Sequence, residues 1–219
     1  MHLILLGAPG TGKGTQANIL AERKGWLHVS TGDMLREAGA AGTVLGRTAK
    51  KYMDEGALVP DELVIRMLVE RIGGADAAAG FVLDGFPRNL AQAVALDEAL
   101  AKASKAIDLA LNITAPDDEL VRRLGGRWLC RGCGAIYQEA SSPPRVAGKC
   151  DRCGGELYQR DDDKPETVRA RLERQKPPAA LLAHYRDGGK LIDVNGLQPV
   201  EKVTEALLRA VHGTENGPK

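Results

Sequence analysis

The chain has 219 residues, 43% of them apolar and 27% charged, and 30 Lys plus Arg against 29 Asp plus Glu leave a formal charge of +1. That length suits one core domain with insertions, the composition excludes a disordered chain, and the balanced charge excludes a general field that would gather nucleic acid or an anionic membrane. Aromatic residues at 4% offer few base-stacking platforms, no stretch approaches the roughly 18 apolar residues of a membrane span, and the run at 3–6 is too short for a signal-peptide core, so a cytoplasmic protein without nucleic-acid or membrane partners is expected.

In chain order, the apolar run at 3–6 reads as a buried strand, followed by GAPGTGK at 7–13 and a helical stretch over 14–24. A weaker run at 27–29 is a second strand. From Ser30, an N-cap residue, to about 73 the pattern is that of several helices, one of them opened by Pro60, Asp61 and Glu62 and continuing over 63–72. A third strand at 81–83, a helix over 89–103 and a fourth strand at 109–113 follow, after which Pro116 with Asp117, Asp118 and Glu119 opens a helix. The interval 127–163 holds all four cysteines among Gly, Pro and Ser and has no helical period. Asp163 reads as an N-cap for a helix opened by Pro165 and Glu166, which Pro177 and Pro178 break or kink. A last strand at 191–194, a helix over 201–211 and a polar tail from 213, expected to be disordered, complete the chain.

Five buried strands alternating with helices predict an α/β fold, a doubly wound, five-stranded parallel sheet flanked by helices, with ligands beyond the carboxyl ends of the strands. The two irregular intervals read as insertions. The expected division is core at 1–29, 74–126 and 164–219, with insertions at 30–73 and 127–163.

GAPGTGK between a strand and a helix is the setting in which GxxxxGK marks a phosphate site. Gly7, Gly10, Gly12 and Gly14 let backbone N–H groups turn inward around phosphate oxygens, the helix N-terminus adds positive potential, and Lys13 supplies a mobile cation. Gly14 follows the lysine where the motif has a hydroxyl residue, and the hydroxyl arrives at Thr15, which leaves direct magnesium ligation by it open.

Three segments, GAPGTGKGTQA at 7–17, STGDMLR at 30–36 and LDGFPRNLAQA at 83–93, together resemble the adenylate kinase family, as do GGR at 125–127 and RDDD at 160–163. The resemblance runs from residue 1 to about 211 and implies the reaction ATP + AMP ⇌ 2 ADP with magnesium, on a P-loop core with an AMP-binding insertion and a lid. It implies that Gly10, Thr11, Gly12, Lys13, Gly14 and Thr15 hold the ATP phosphates. Arg36 and Arg88 would grip the AMP phosphate, Arg127, Arg160 and Arg171 would surround the transferred group, and Asp84, with Asp33, would organise water on magnesium. On the AMP side it points to Thr31, to Ala57, Leu58 and Val59, to Gly85, Phe86, Pro87 and Arg88, and to Gln92, whose amide can donate and accept at once. Arg160 and Arg171 would also reach the AMP. On the ATP side Arg123 would stack on the base, with Ile136, Tyr137 and Gln198 lining the remainder. Asn89 stands where many of that family carry Thr and also occurs in pyrimidine monophosphate kinases, so UMP, CMP or GMP remains open as acceptor.

Cys130-x2-Cys133 and Cys150-x2-Cys153, sixteen residues apart, have the spacing of a four-cysteine zinc site. Four sulfurs would close the coordination shell, making the zinc structural. Free thiols or disulfides are the alternatives. A different class of function is a P-loop ATPase using these knuckles to bind nucleic acid, against which stand the charge balance and the few aromatics. The expectation is a monomeric, magnesium-dependent kinase of ATP, AMP and ADP with a zinc-stapled lid.

Overall fold

The computed structural model describes residues 1–42, 44–54 and 59–215. The core is a five-stranded sheet of β1 (His2–Leu6), β2 (Leu27–Ser30), β3 (Phe81–Asp84), β4 (Leu109–Thr114) and β8 (Leu191–Asn195), in the order β2-β3-β1-β4-β8 with every pair parallel. Parallel strands in one sheet need long crossovers, here made by helices that cover both faces.

Alternation along the strands sorts the core into two layers. Leu3 and Leu5 face α1 (Lys13–Lys24) and α9 (Val200–Glu215), packing with Leu20, Leu207 and Val211. Ile4 and Leu6 face α4 (Asp61–Ile72), α5 (Leu90–Lys102) and α8 (Ala179–Asp187), with Leu68, Leu96 and Tyr185. Because both faces are covered, the central strands read as unbroken apolar runs. β8 departs from the expectation of five buried strands: it is an edge strand in which only Val194 is buried.

Between β2 and α4 lie α2 (Thr31–Ala40) and α3 (Val44–Asp54); Ser30 caps α2 by accepting from the Asp33 N–H at 3.3 Å. α6 (Asp117–Gly125) and α7 (Pro165–Gln175) pack through Leu120, Leu124, Val168 and Leu172 and carry between them a separate antiparallel sheet of β5 (Arg127–Cys130), β6 (Ile136–Gln138) and β7 (Leu157–Tyr158), in the order β6-β5-β7. The break at Pro177 and Pro178 separates α7 from α8. α9 runs to Glu215, so 213–215 are helical rather than disordered, held where Lys24 donates to both Glu215 carboxylate oxygens at 2.8 and 3.0 Å. The rest of the expected tail, 216–219, lies outside the described residues.

Candidate active site

The loop between β1 and α1 is shaped by what cannot fit there. Gly7 has φ +138°, and a Cβ on it would lie 2.4 Å from the Ile113 carbonyl oxygen. Gly12 caps α1 with no side-chain hydrogen bond, and no acidic residue occupies the first turn. The helix therefore presents its free N–H groups and positive end outward, a seat for an anion. Thr11 is buried, with its hydroxyl at 3.0 Å and its backbone N–H at 3.4 Å both donating to Ala8 O, which closes the turn of the loop. Lys13 Nζ donates to Gly7 O and Ala8 O, both at 2.8 Å. Burial lowers its pKa to about 8 against the partly compensating charge of Asp84.

At Gly14, where the motif departs, a Cβ would lie 3.2 Å from Asp84 Oδ2, a tight contact that the carboxylate ending β3 would have to yield to by a few tenths of an ångström. Thr15 lines the cleft beside it. Burial pushes the Asp84 carboxyl up, but the neighbouring His28 imidazole and the Lys13 charge outweigh it and hold the group below the usual range. The contact with His28 Nε2, at 3.9 Å, had no signal in the sequence; His28 is held through Nδ1 against Asn18 Oδ1 at 2.7 Å.

Arg36, Arg88, Arg127, Arg160 and Arg171 line the same cleft as Lys13, Asp33 and Asp84. It encloses about 1620 Å³, beyond the roughly 300–1,000 Å³ of a site for one small ligand and enough for two. Arg88 donates from Nε to Gly85 O at 2.7 Å and, among the described residues, forms no ion pair. Burial, and then the nearby Arg171, bring its pKa down to about 10. Arg160 lies 3.5 Å from Asp33 Oδ1, yet its Nε is buried with no acceptor among the described residues. Burial and the charges of Arg36 and Arg127 lower its pKa. Asp33 also pairs with Arg36; burial raises its pKa, and the Arg36 charge and hydrogen bond more than reverse that. Buried guanidinium donors that lack acceptors mark a place built for an anion.

Asp163 corrects its sequence reading. Lys164, not Asp163, occupies the N-cap of α7. The Asp163 carboxylate is fully buried and accepts from Arg127 Nε and Nη2 at 2.8 and 2.6 Å and from Arg171 Nη1 at 2.6 Å. It holds two of the cleft arginines side by side. Asp162 adds a second contact to Arg171 at 3.2 Å.

A smaller adjoining cavity is lined by Thr31, Val59, Gly85, Phe86, Arg88 and Gln92, while Pro87 lines the main cleft. Thr31 Oγ1 donates to Gly85 O at 3.1 Å. Ala57 and Leu58, also expected there, lie outside the described residues. At the other end, Gly10, Gly12, Arg123, Ile136 and Gln198 line the main cleft. Arg123 is tied to Glu119 Oε1 at 2.7 Å. Tyr137 does not line the cleft: it is buried in the small lid core, where its hydroxyl accepts from the Asp151 N–H at 2.7 Å and lies 3.4 Å from Cys150 Sγ. Alternation along β6 sends Ile136 toward the cleft and Tyr137 away from it.

The four cysteines converge, with all four Sγ atoms within 4.8 Å of one another. Sγ–Sγ distances of 3.4 Å for Cys130–Cys153 and 3.5 Å for Cys133–Cys150 are far from the roughly 2.05 Å of a disulfide and near the edge of about 3.8 Å of a tetrahedron with metal–sulfur bonds of about 2.3 Å. The thiols share their protons unevenly: the hydrogen bond with Tyr137 brings Cys150 down to about 6, while those with Cys130 and Cys133 help push Cys153 up to about 12. The donor set could hold one soft or borderline metal ion.

A parallel α/β core with an anion-binding strand–loop–helix, an arginine-lined cleft able to take two ligands and two insertions over that cleft defines the nucleotide-dependent phosphotransferases of the P-loop class. A family model described as adenylate kinase matches residues 5–190. An adenylate kinase of Archaeoglobus fulgidus is 53% identical over 215 residues, covering 96% of this chain and 99% of that relative. One of Thermodesulfovibrio yellowstonii is 51% identical over 208 residues, 94% and 97% of the two chains, and one of Symbiobacterium thermophilum is 49% identical over 215 residues, 98% and 100%. The chain belongs to the adenylate kinase family.

Proposed function

We propose that the arginine-lined cleft aligns Mg-ATP and AMP end to end and passes the γ-phosphoryl group between them, the residues acting as follows. The protein catalyses ATP–AMP phosphotransfer, giving two ADP. An AMP phosphate oxygen attacks the γ-phosphorus, the bond to the β–γ bridging oxygen breaks, and that oxygen leaves on the first ADP. Little covalent work is left for the protein, so positioning and charge neutralisation carry the rate. Residues 7–15 and Lys13 hold the ATP phosphates. Arg36 and Arg88 hold the AMP phosphate, and Arg127, Arg160 and Arg171 surround the transferred group. Asp84, with Asp33, would hold magnesium through its water ligands, and the ion would supply neutralising charge to the ATP phosphates. Thr31, Val59 and Gln92 meet the AMP base; Arg123, Ile136 and Gln198 meet the ATP base.

The observation that carries this reading is Arg160 Nε, a buried cleft guanidinium nitrogen with no acceptor among the described residues, beside Lys13, Arg36, Arg88, Arg127 and Arg171 in the same cleft. Residues 30–73 act as the AMP-binding insertion and 127–163 as a lid, with zinc on the four cysteines as a structural ion. The protein acts as a monomer in the cytoplasm, a reducing compartment that keeps the four cysteines out of disulfides and available to the metal. The alternatives with UMP, CMP or GMP as acceptor, or with nucleic acid on the knuckles, are not favoured.

ADP formed from ATP with each nucleoside monophosphate in turn, with metal analysis on the same preparation, is the direct test. AMP is expected to exceed the other acceptors by at least about a hundredfold in kcat/KM, with one zinc per chain. Equal rates with a pyrimidine monophosphate would overturn the acceptor assignment.

A further inference from the structure

Gln92 is only 2% exposed, and both ends of its amide are engaged by the protein. Its Oε1 accepts from the Arg88 N–H at 2.6 Å, and its Nε2 donates to Asp61 Oδ1 at 2.6 Å. The other Asp61 oxygen accepts from Asn89 Nδ2 at 3.2 Å, and Asn89 Oδ1 in turn accepts from the Gln92 N–H at 2.8 Å, capping α5. Asp61 is the first residue of α4, where the helix N-terminus favours a carboxylate, and the Asn89 amide holds its second oxygen, so it is not free to turn away.

This network leaves the Gln92 amide one orientation. Exchanging its two ends would set an N–H against the Arg88 N–H and an oxygen against the Asp61 carboxylate, both part-buried and both repulsive. In the permitted orientation the amide retains one N–H and one oxygen lone pair for a ligand, in a fixed spatial order. Adenine offers an amino donor beside a ring-nitrogen acceptor. Hypoxanthine and guanine offer an oxo acceptor beside a ring N–H, the same pair reversed. A freely turning glutamine would read both edges; a locked one reads only the first.

We propose that Asp61 is a positioning residue that determines acceptor specificity, by locking the Gln92 amide so that the site accepts the amino edge of a base and rejects the oxo edge. The proposal rests on the assignment of Gln92 to the AMP base. Adenine and hypoxanthine have the same ring and differ only in this edge, so AMP against IMP isolates the effect from size.

The experiment measures kcat/KM for AMP and for IMP, at saturating Mg-ATP, in the wild type, Asp61→Asn and Gln92→Leu. An asparagine at 61 can donate or accept, so it removes the Asp61 half of the lock and leaves the Arg88 N–H as the one contact of the pair that still favours the original orientation. The variant's AMP-to-IMP ratio is expected to fall about tenfold, in line with one misoriented buried hydrogen bond. A merely structural loss would lower both acceptors together and leave the ratio alone. An unchanged ratio in Asp61→Asn, with Gln92→Leu collapsing it, overturns the lock and leaves Gln92 as the reader. An unchanged ratio in Gln92→Leu overturns the underlying assignment as well. If Asp61→Asn does not fold, Asp61→Ser, whose hydroxyl also donates or accepts and suits a helix start, is measured against the same ratio.

Discussion

Lys13 is held on two carbonyls of its own loop, and burial lowers its pKa from 10.5 to about 8. Phosphate oxygens favour the ammonium and raise that pKa again. Above about pH 8 the free protein has lost a proton that the nucleotide complex keeps, so ATP binding takes one up and its affinity falls as pH rises. Calorimetry at pH 8.5–9 in buffers of different ionisation heat should show uptake of up to about one proton, absent in Lys13→Arg, whose guanidinium stays charged. Uptake of no proton by the wild type would contradict the role. Lys13 was legible in the sequence because loop, lysine and helix are contiguous. Asp163 and Asp61 were not: their partners lie 36 and 31 residues away, Arg127 for the one and Gln92 for the other, and each reads locally as an ordinary helix-start residue.

At the scale of elements, the lid sheet has little apolar support of its own. Its buried cluster is Cys130, Ala135, Tyr137, Cys150 and Leu157, and two of these five are prospective metal ligands. So little apolar area cannot hold three short strands together, and metal ligation would supply the rest. Removing zinc with a chelator, or Cys130→Ser, is expected to lower the thermal midpoint by roughly 5 °C, about 2 kcal/mol for a chain this size, with metal content falling in parallel. An unchanged midpoint in the metal-free protein would show that the knuckles are not its staple. The short strands β5 to β7 left no legible signal, because two to four residues cannot establish a period of two. The central strands β1, β3 and β4 did, being buried on both faces, and so did the Pro177–Pro178 break.

Across the whole molecule, the cleft joins residues from the first loop, both insertions and α7. Arg160, after the lid sheet, reaches Asp33 of α2 across it, and Arg88 from the β3–α5 loop has Arg171 of α7 close enough to lower its pKa. Like charges gathered this closely oppose folding until a polyanion lies among them. A bisubstrate mimic joining two adenosines through five phosphates, at about a thousand times its dissociation constant, should contribute about 4 kcal/mol and raise the thermal midpoint by roughly 10 °C. ATP and AMP added singly should each give less. A shift no larger than that with ATP alone would mean that the cleft does not hold two nucleotides at once.

By itself the sequence determined the parallel core, the phosphate loop and the four-cysteine pattern, because each rests on local spacing, burial periodicity or a contiguous motif, whereas the arginines were picked out through the family resemblance of the segments that hold them. Tertiary structure alone decided that Asp163 clasps two arginines, that Tyr137 turns into the lid core, and that Asp61 meets Gln92. These depend on which side chains the packed elements bring within hydrogen-bond distance, and a hydrogen bond across the fold leaves no mark on the spacing of the chain.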